Sequence, residues 1–219
     1  MTDAFPIGVQ LHGPADGPAV LVLHPWWGIS PGVLAWTDTL VRAGARVVLP
    51  DLFDGVVVDT IPEAKAMANG LDDDKANAVL DACADRLSES GRPWHALGWS
   101  MGAFLGTRLT GRGEQAPQRF VMFSGAGVAD APGTEAVQLH VAPGDDFFDP
   151  DEEAEALRGF EKAGIRVERY EYPGLGHWFA EVGSPAYDEE GTRLATERSL
   201  TFLGLTLPPP PMGGHRVAG

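Results

Sequence analysis

Seven short runs with strand character alternate along this chain with segments of helical period. Most of these runs are almost continuously apolar, which is typical of strands covered on both faces of a sheet. Because parallel neighbours need crossover connections, the alternation predicts an α/β fold: a mostly parallel central sheet with helices on both faces. The predicted strands are Ile7–Leu11, Ala19–His24, Arg46–Leu49, Trp94–Trp99, Arg119–Ser124, Val137–Ala142 and Arg166–Glu171.

Helical periodicity is clearest between residues 76 and 87, where small and aliphatic side chains recur on one stripe. Cys83, the only cysteine, falls on that stripe, so we expect a core thiol rather than a catalytic one. The same period runs less cleanly from Val33 to Val41. A last helix is predicted from about Pro185 to Phe202, with proline near its start and acids in its first turns.

The chain of 219 residues can bury a full core as one domain. We expect that domain to span residues 1–205, without a separate lid domain, although Asp54–Asn69 could form a partial rim over a pocket. Residues 206–219, which are rich in proline and glycine, are predicted to be a disordered tail.

The net charge of −15 argues against nucleic acid and anionic membranes as partners. The start of the chain lacks a secretory signal and no run could cross a bilayer, so we expect a cytoplasmic protein. One cysteine excludes an intramolecular disulfide, and no histidine spacing resembles a metal site. We therefore expect neither a cofactor nor a metal. The sequence does not exclude a homodimer.

The segment Gly98-Trp99-Ser100-Met101-Gly102 follows a predicted strand directly. A nucleophile on a sharp strand-to-helix turn has a strained backbone, so the residues two before and two after it must be very small. Gly98 and Gly102 meet that demand. Because the motif alone recurs by chance in glycine-rich chains, the residues around it decide whether Ser100 is a nucleophile.

The other candidate residues follow later strands, and carboxyl ends of parallel strands meet at one sheet edge. Asp145 and Asp146 follow one strand, and His177 follows the last. Imidazole can take the proton of a serine hydroxyl, and a carboxylate can fix its tautomer. We predict a catalytic triad of Ser100, His177 and Asp146, with Asp145 as the alternative acid.

An oxyanion needs two backbone N–H donors, one of them from the residue after the nucleophile. That residue is Met101, and the loop after the second strand supplies the other donor. Pro25 has no N–H, which favours Trp26, with Trp27 as a fallback. His24, beside this loop, is a candidate for shaping the pocket.

From the strand before His24 to the final helix, the chain resembles the dienelactone hydrolase family of α/β-hydrolases. The resemblance implies an α/β-hydrolase fold, Asp146 rather than Asp145 as the acid, His177 as the base, and Trp26 and Met101 as oxyanion donors. Besides the elbow, the resemblance is carried by residues 44–53, Gly144-Asp145-Asp146-Phe147-Phe148, residues 172–177 and the segment from Ala186-Tyr187 to Phe202-Leu203.

Three positions depart from that family's best-known members, which have a cysteine nucleophile, a glutamate at the position of Pro25 and a substrate-binding arginine at that of Glu181. A serine relies on its histidine rather than on a pre-formed thiolate, so the first two changes are coherent. An acid at Glu181 repels a substrate carboxylate, which argues against a true dienelactone.

Large aromatic side chains adjoin the motif residues, which suits an aromatic or short aliphatic ester. Those expected to touch substrate are Trp27, Trp99, Phe147 and Trp178, together with Glu181. The sequence thus predicts a serine hydrolase that cleaves a small carboxylic ester or lactone through an acyl-enzyme. The alternatives are a thioesterase or acyltransferase, and a catalytically silent binding module with the same fold.

Overall fold

A sheet of seven strands runs through the computed structural model, which describes residues 5–209. In space the strands follow the order β1-β3-β2-β4-β5-β6-β7. All neighbours are parallel except β1, which pairs antiparallel with β3 at the edge. The strands are β1 (Val9–His12), β2 (Ala19–Leu23), β3 (Arg46–Pro50), β4 (Trp94–Trp99), β5 (Arg119–Phe123), β6 (Ala136–Val141) and β7 (Arg166–Glu171).

Helices connect the parallel strands and cover both faces of the sheet. One core beneath the sheet packs β-strand residues against α3, α4 and α5, and a second core packs the opposite face against α1 and α6. The helices are α1 (Pro31–Arg42), α2 (Ile61–Asn69), α3 (Asp73–Ser88), α4 (Met101–Thr107), α5 (Pro150–Lys162) and α6 (Glu189–Leu203). The predicted mostly parallel sheet with helices on both faces is confirmed.

The buried strand β4 shows why the apolar runs are continuous. All six of its residues are buried, with Ala96 in one core and Leu97 in the other. Successive side chains of a strand point to opposite faces, so a strand covered on both sides needs apolar residues at every position. The continuous runs of the sequence therefore mark the central strands of this sheet.

The last helix begins later than predicted. The sequence pattern placed its start near Pro185, whereas α6 begins at Glu189. The carboxylate of Asp188 accepts the backbone N–H of Gly191 at 2.7 Å and so caps the helix. Before that cap the chain forms turns, in which Ser184 accepts the N–H of Ala186 at 3.0 Å.

His140 and Ser199 contact each other in the core, away from solvent. The Nε2 atom of His140 lies 3.3 Å from Ser199 Oγ, and its Nδ1 atom lies 2.7 Å from Tyr172 Oη. Burial, with a smaller contribution from the Arg198 charge, lowers the pKa of His140 to about 3. Both His140 and Ser199 have no exposed surface, so this pair is a structural contact of the core.

Two further predictions concern the tail of the chain and a partial rim over a pocket. Of the tail predicted over 206–219, residues 210–219 lie outside the described residues. The segment Asp54–Asn69 contains α2, and it lines a cavity through Val57, Val58 and Asp59. No helix in the described part of the chain is long and apolar enough to span a membrane.

The thiol of Cys83 gives a probe of the core. Cys83 has no exposed surface on α3, as the helical stripe predicted, and burial raises its pKa to about 12. Alkylation requires an accessible thiolate. We expect iodoacetamide at pH 8 to leave Cys83 unmodified in the native protein and to label it fully in denaturant, as measured by intact mass. Rapid labelling of the native protein would contradict this packing.

Candidate active site

A strained turn between β4 and α4 carries Ser100. Its φ of 47° and ψ of −115° lie outside the regions that side chains favour, and its N–H donates to Phe123 O at 2.8 Å. A Cβ at Gly102 would come within 2.3 Å of Leu23 O, and one at Gly98 within 2.9 Å of the backbone nitrogen of Ala103. The predicted requirement for very small residues at both positions is confirmed.

Gly125, which the sequence analysis did not single out, supports the same turn from the next strand. A Cβ there would lie 2.6 Å from the carbonyl oxygen and 2.8 Å from the Cα of Ser100. The preceding Ser124 also has a positive φ, of 46°. A Ser-Gly pair directly after an apolar strand was the signal available in the sequence. Its meaning depends on β5 lying beside β4, which the sequence pattern does not specify.

His177 lies between the elbow serine and a carboxylate. Its Nε2 atom is 2.9 Å from Ser100 Oγ, and its Nδ1 atom is 2.6 Å and 2.8 Å from the two carboxylate oxygens of Asp145. The side chains of His177 and Asp145 are 2% and 4% exposed, so little water competes for these contacts. The three residues come from loops after β4, β6 and β7, at one edge of the sheet.

The prediction of Asp146 as the partner of His177 is wrong in this geometry. Asp146 is exposed, whereas Asp145 contacts the imidazole. The reason is the turn after β6: the Asp145 N–H donates to Ala142 O at 3.1 Å, and the Asp145 carboxylate accepts the Phe147 N–H at 2.8 Å. This turn places the first of the two aspartates, which was the alternative, over the imidazole.

Met101 and Trp26 carry the two backbone N–H groups that the sequence predicted as oxyanion donors. Met101 is the first residue of α4, so its N–H has no acceptor within the helix. Trp26 follows Pro25, whose carbonyl oxygen accepts hydrogen bonds from His24 Nδ1 at 2.7 Å and from the Gly28 N–H at 3.1 Å. In a trans peptide the C=O and the following N–H point in opposite directions, so these bonds fix the direction of the Trp26 N–H.

His24, whose ring is fixed in one tautomer, holds this loop in place. The N–H of Leu52 donates to His24 Nε2 at 3.0 Å, so the ring hydrogen lies on Nδ1 and is donated to Pro25 O. Burial lowers the pKa of His24, and its bond to Pro25 and the charge of Asp51 offset only part of that effect. A neutral, fully buried His24 therefore ties the loop after β2 to the segment after β3.

An aromatic cluster of four rings contacts His177 through Phe147 and Trp178, and three of the four rings were predicted to touch substrate. The ring centroids of Phe147 and Trp178 lie 5.4 Å and 5.2 Å from that of His177. Trp26 and Trp27 pack against Trp178 at 6.2 Å and 5.2 Å. The indole N–H groups of Trp26 and Trp178 have no acceptor in the described structure.

Trp99, also predicted to touch substrate, lies in the core instead. It is 2% exposed and packs against Trp36 and Phe123, with ring centroids 5.7 Å away in each case. Being the last residue of β4, it points to the face that α1 covers, while the chain turns at Ser100. Adjacency to the serine in sequence therefore did not place Trp99 near it in the pocket.

A cavity of about 540 Å³ adjoins the aromatic cluster. Trp27 and Trp178 line it together with Glu181, which is 4% exposed. Burial raises the pKa of the Glu181 carboxyl to about 8. Glu181, which the sequence predicted to touch substrate, thus lies in the wall of this cavity.

Comparisons with known proteins agree on the fold. The model of the dienelactone hydrolase family matches residues 7–207. A relative from Azospirillum brasilense, provisionally named carboxymethylenebutenolidase, is 28% identical over 210 residues, and 87% of each chain is covered.

Two solved structures extend this similarity. A dienelactone hydrolase-like promiscuous phosphotriesterase from metagenomic libraries has a TM-score of 0.73 at 16% identity, covering 90% of this chain and 92% of that one. An α/β hydrolase enzyme from a Medee basin deep-sea metagenome has a TM-score of 0.59 at 15% identity, covering 94% and 97%. The predicted α/β-hydrolase fold is confirmed.

The two hydrogen bonds of His24 predict a measurable contribution to stability. In His24→Leu the Leu52 N–H loses its acceptor and Pro25 O keeps only its bond from the Gly28 N–H, and we expect the free energy of unfolding to fall by about 2 kcal/mol. His12→Leu, which removes only a half-exposed bond to Gln10, is the control and is expected to change it by less than about 0.5 kcal/mol. Urea unfolding measures both, and equal values for the two variants would contradict the role of His24.

Proposed function

This chain belongs to the dienelactone hydrolase family of hydrolases, and on that premise we propose that it is a serine hydrolase of small carboxylic esters or lactones. The observation that carries the proposal is the continuous contact from Ser100 Oγ through His177 to Asp145 at the strained turn. An isolated serine hydroxyl is a weak nucleophile, and an imidazole within hydrogen-bond distance is the group that activates it.

In the first half-reaction, Ser100 Oγ attacks the carbonyl carbon while His177 Nε2 takes the hydroxyl proton over 2.9 Å. Asp145 accepts the Nδ1–H and stabilises the imidazolium that forms. The C–O bond to the leaving group then breaks, and the imidazolium returns its proton to the departing alkoxide. The products of this step are the acyl-enzyme and the free alcohol.

The backbone N–H groups of Met101 and Trp26 are the proposed donors to the tetrahedral oxyanion. Both belong to rigid segments, since Met101 begins α4 and the Trp26 peptide is oriented through His24 and Pro25. Donors fixed before the reaction need no reorganisation as the charge develops. In the second half-reaction water gives its proton to His177 and attacks the acyl carbon, which releases the acid and restores Ser100.

The surroundings of the triad favour uncharged, partly apolar acyl groups. Phe147 and Trp178 lie against the His177 ring, and the described residues bring no cation into contact with the triad. A substrate carboxylate would have no counter-charge beside Glu181 in the adjoining cavity. A small aromatic or aliphatic ester or lactone fits this setting better than an acidic dienelactone.

Labelling with a fluorophosphonate tests the nucleophile. We expect stoichiometric modification of Ser100, located by peptide mass spectrometry, and at least a hundredfold slower labelling of His177→Ala because its serine lacks a base. Ser199, which has no exposed surface, provides an internal control and should stay unmodified. A folded protein whose Ser100 is not labelled would overturn the proposal.

The two adjacent aspartates allow a matched comparison of the acid. We expect Asp145→Asn to lower kcat/KM for p-nitrophenyl acetate by a factor of about 10³ to 10⁴, because the amide no longer holds the required tautomer. Asp146→Asn removes the same charge from the exposed neighbour and is expected to stay within about threefold of wild type. A larger loss in Asp146→Asn than in Asp145→Asn would restore the acid that the sequence favoured.

A further inference from the structure

The cavity beside the triad has two acids in its wall and no basic side chain among the described residues that line it. It lies between the start of α1, the segment before α2 and the loop that follows His177. Its exposed surface is mainly apolar, and Val57, Ile61 and Pro62 line it together with Trp27 and Trp178. A buried carboxylate stands out in such a setting.

Glu181 is that carboxylate, and the fold holds it in place. The indole N–H of Trp36 donates to Ala180 O at 2.8 Å, which fastens the residue before Glu181 to α1. The Glu181 N–H donates to Trp178 O at 3.1 Å. A Cβ at Gly32 of α1 would lie 3.2 Å from the backbone of Val182, so helix and loop are in close contact.

The carboxylate itself has no hydrogen bond or ion pair with any described residue. Burial is the one cause that raises its pKa, and neither a charge nor a hydrogen bond offsets it. Proteins rarely bury a carboxylate without a partner, because desolvation costs several kcal/mol unless the group is neutral or paired. Burial thus favours the neutral form of the group, and no described residue supplies the counter-charge that would stabilise its ionised form.

We propose that this cavity is an ammonium-binding subsite, where Glu181 and the neighbouring Trp27 and Trp178 receive the cationic group of an ester substrate. The proposal rests on the hydrolase function proposed above. Tryptophan faces attract cations through their ring quadrupole, and a carboxylate supplies the full opposite charge. Trp178 lines the cavity and also contacts the His177 ring, so one side chain connects the subsite with the triad.

Ionisation of Glu181 makes the affinity of the subsite for a cation depend on pH. With a pKa of about 8, Glu181 is mostly protonated at pH 7, and a bound ammonium ion favours its ionised form. Affinity for the cation therefore rises with pH and levels off above the pKa. The other titratable group in the lining is Asp59, which is exposed at the edge of the cavity.

The test compares choline with 3,3-dimethyl-1-butanol, its uncharged isostere, by quenching of tryptophan fluorescence in the full-length protein. We expect choline to bind at least tenfold more tightly at pH 8.5, and its affinity to increase roughly eightfold from pH 7 to pH 8.5. Glu181→Gln keeps the shape of the protonated acid and should reduce the preference below threefold and abolish the pH dependence.

Asp38→Asn is the matched control, because Asp38 is an exposed acid of α1 outside the cavity lining and the change likewise replaces one carboxyl group by its amide. It should bind choline within twofold of wild type. Equal affinity of wild type for choline and for the alcohol, or an unchanged preference in Glu181→Gln, would overturn the subsite. The pH dependence of wild type tests the proposal without a variant if Glu181→Gln does not fold.

Choline binding and fluorophosphonate labelling, measured on the same protein, separate this proposal from the hydrolase function. If choline binds in a way that depends on Glu181 but Ser100 is not labelled, the subsite is supported and the hydrolase function is contradicted. Labelled Ser100 without a choline preference does the opposite. With both intact, kcat/KM for a choline ester should exceed that for the 3,3-dimethylbutyl ester at least tenfold, and Glu181→Gln should remove the difference.

Discussion

The close approach of three backbone segments at Ser100 is the constraint on which the site depends. Ser100 keeps a positive φ because the segment after β5 lies against it at Gly125 and the end of β2 lies against Gly102, with no room for a Cβ at either glycine. Strain of this kind persists only where the surrounding structure fixes it. The parallel register of β2, β4 and β5 supplies that support, and in return the hydroxyl is raised at the carboxyl edge of the sheet, within reach of His177.

Buried polar side chains stabilise the loops that follow the strands of the sheet. His24 fixes the loop after β2 through Pro25 and Leu52, and Trp36 fixes the loop after β7 through Ala180. Each of these side chains satisfies backbone groups that would otherwise be buried without partners. The loops of the site are therefore held in place by side chains of the core.

Two carboxylates near the site differ in what surrounds them. Asp145 accepts hydrogen bonds from the imidazole of His177 and from the Phe147 N–H, whereas Glu181 lies in an apolar cavity with no partner. Partners favour the charged form and desolvation favours the neutral one. The two carboxylates thus differ in their partners: in the proposed mechanism Asp145 stabilises the imidazolium of His177, and in the proposed subsite Glu181 receives a cation from a ligand.

The sequence by itself determined the seven strands, the parallel sheet and the elbow, because continuous apolar runs and steric limits on a tight turn are local properties. Resemblance and spacing brought Ser100 and His177 to one edge. Tertiary structure alone decided between Asp145 and Asp146, moved Trp99 into the core and buried Glu181. Those outcomes depend on how turns close and which face a neighbouring helix covers, and contacts between residues far apart in sequence leave no local pattern to read.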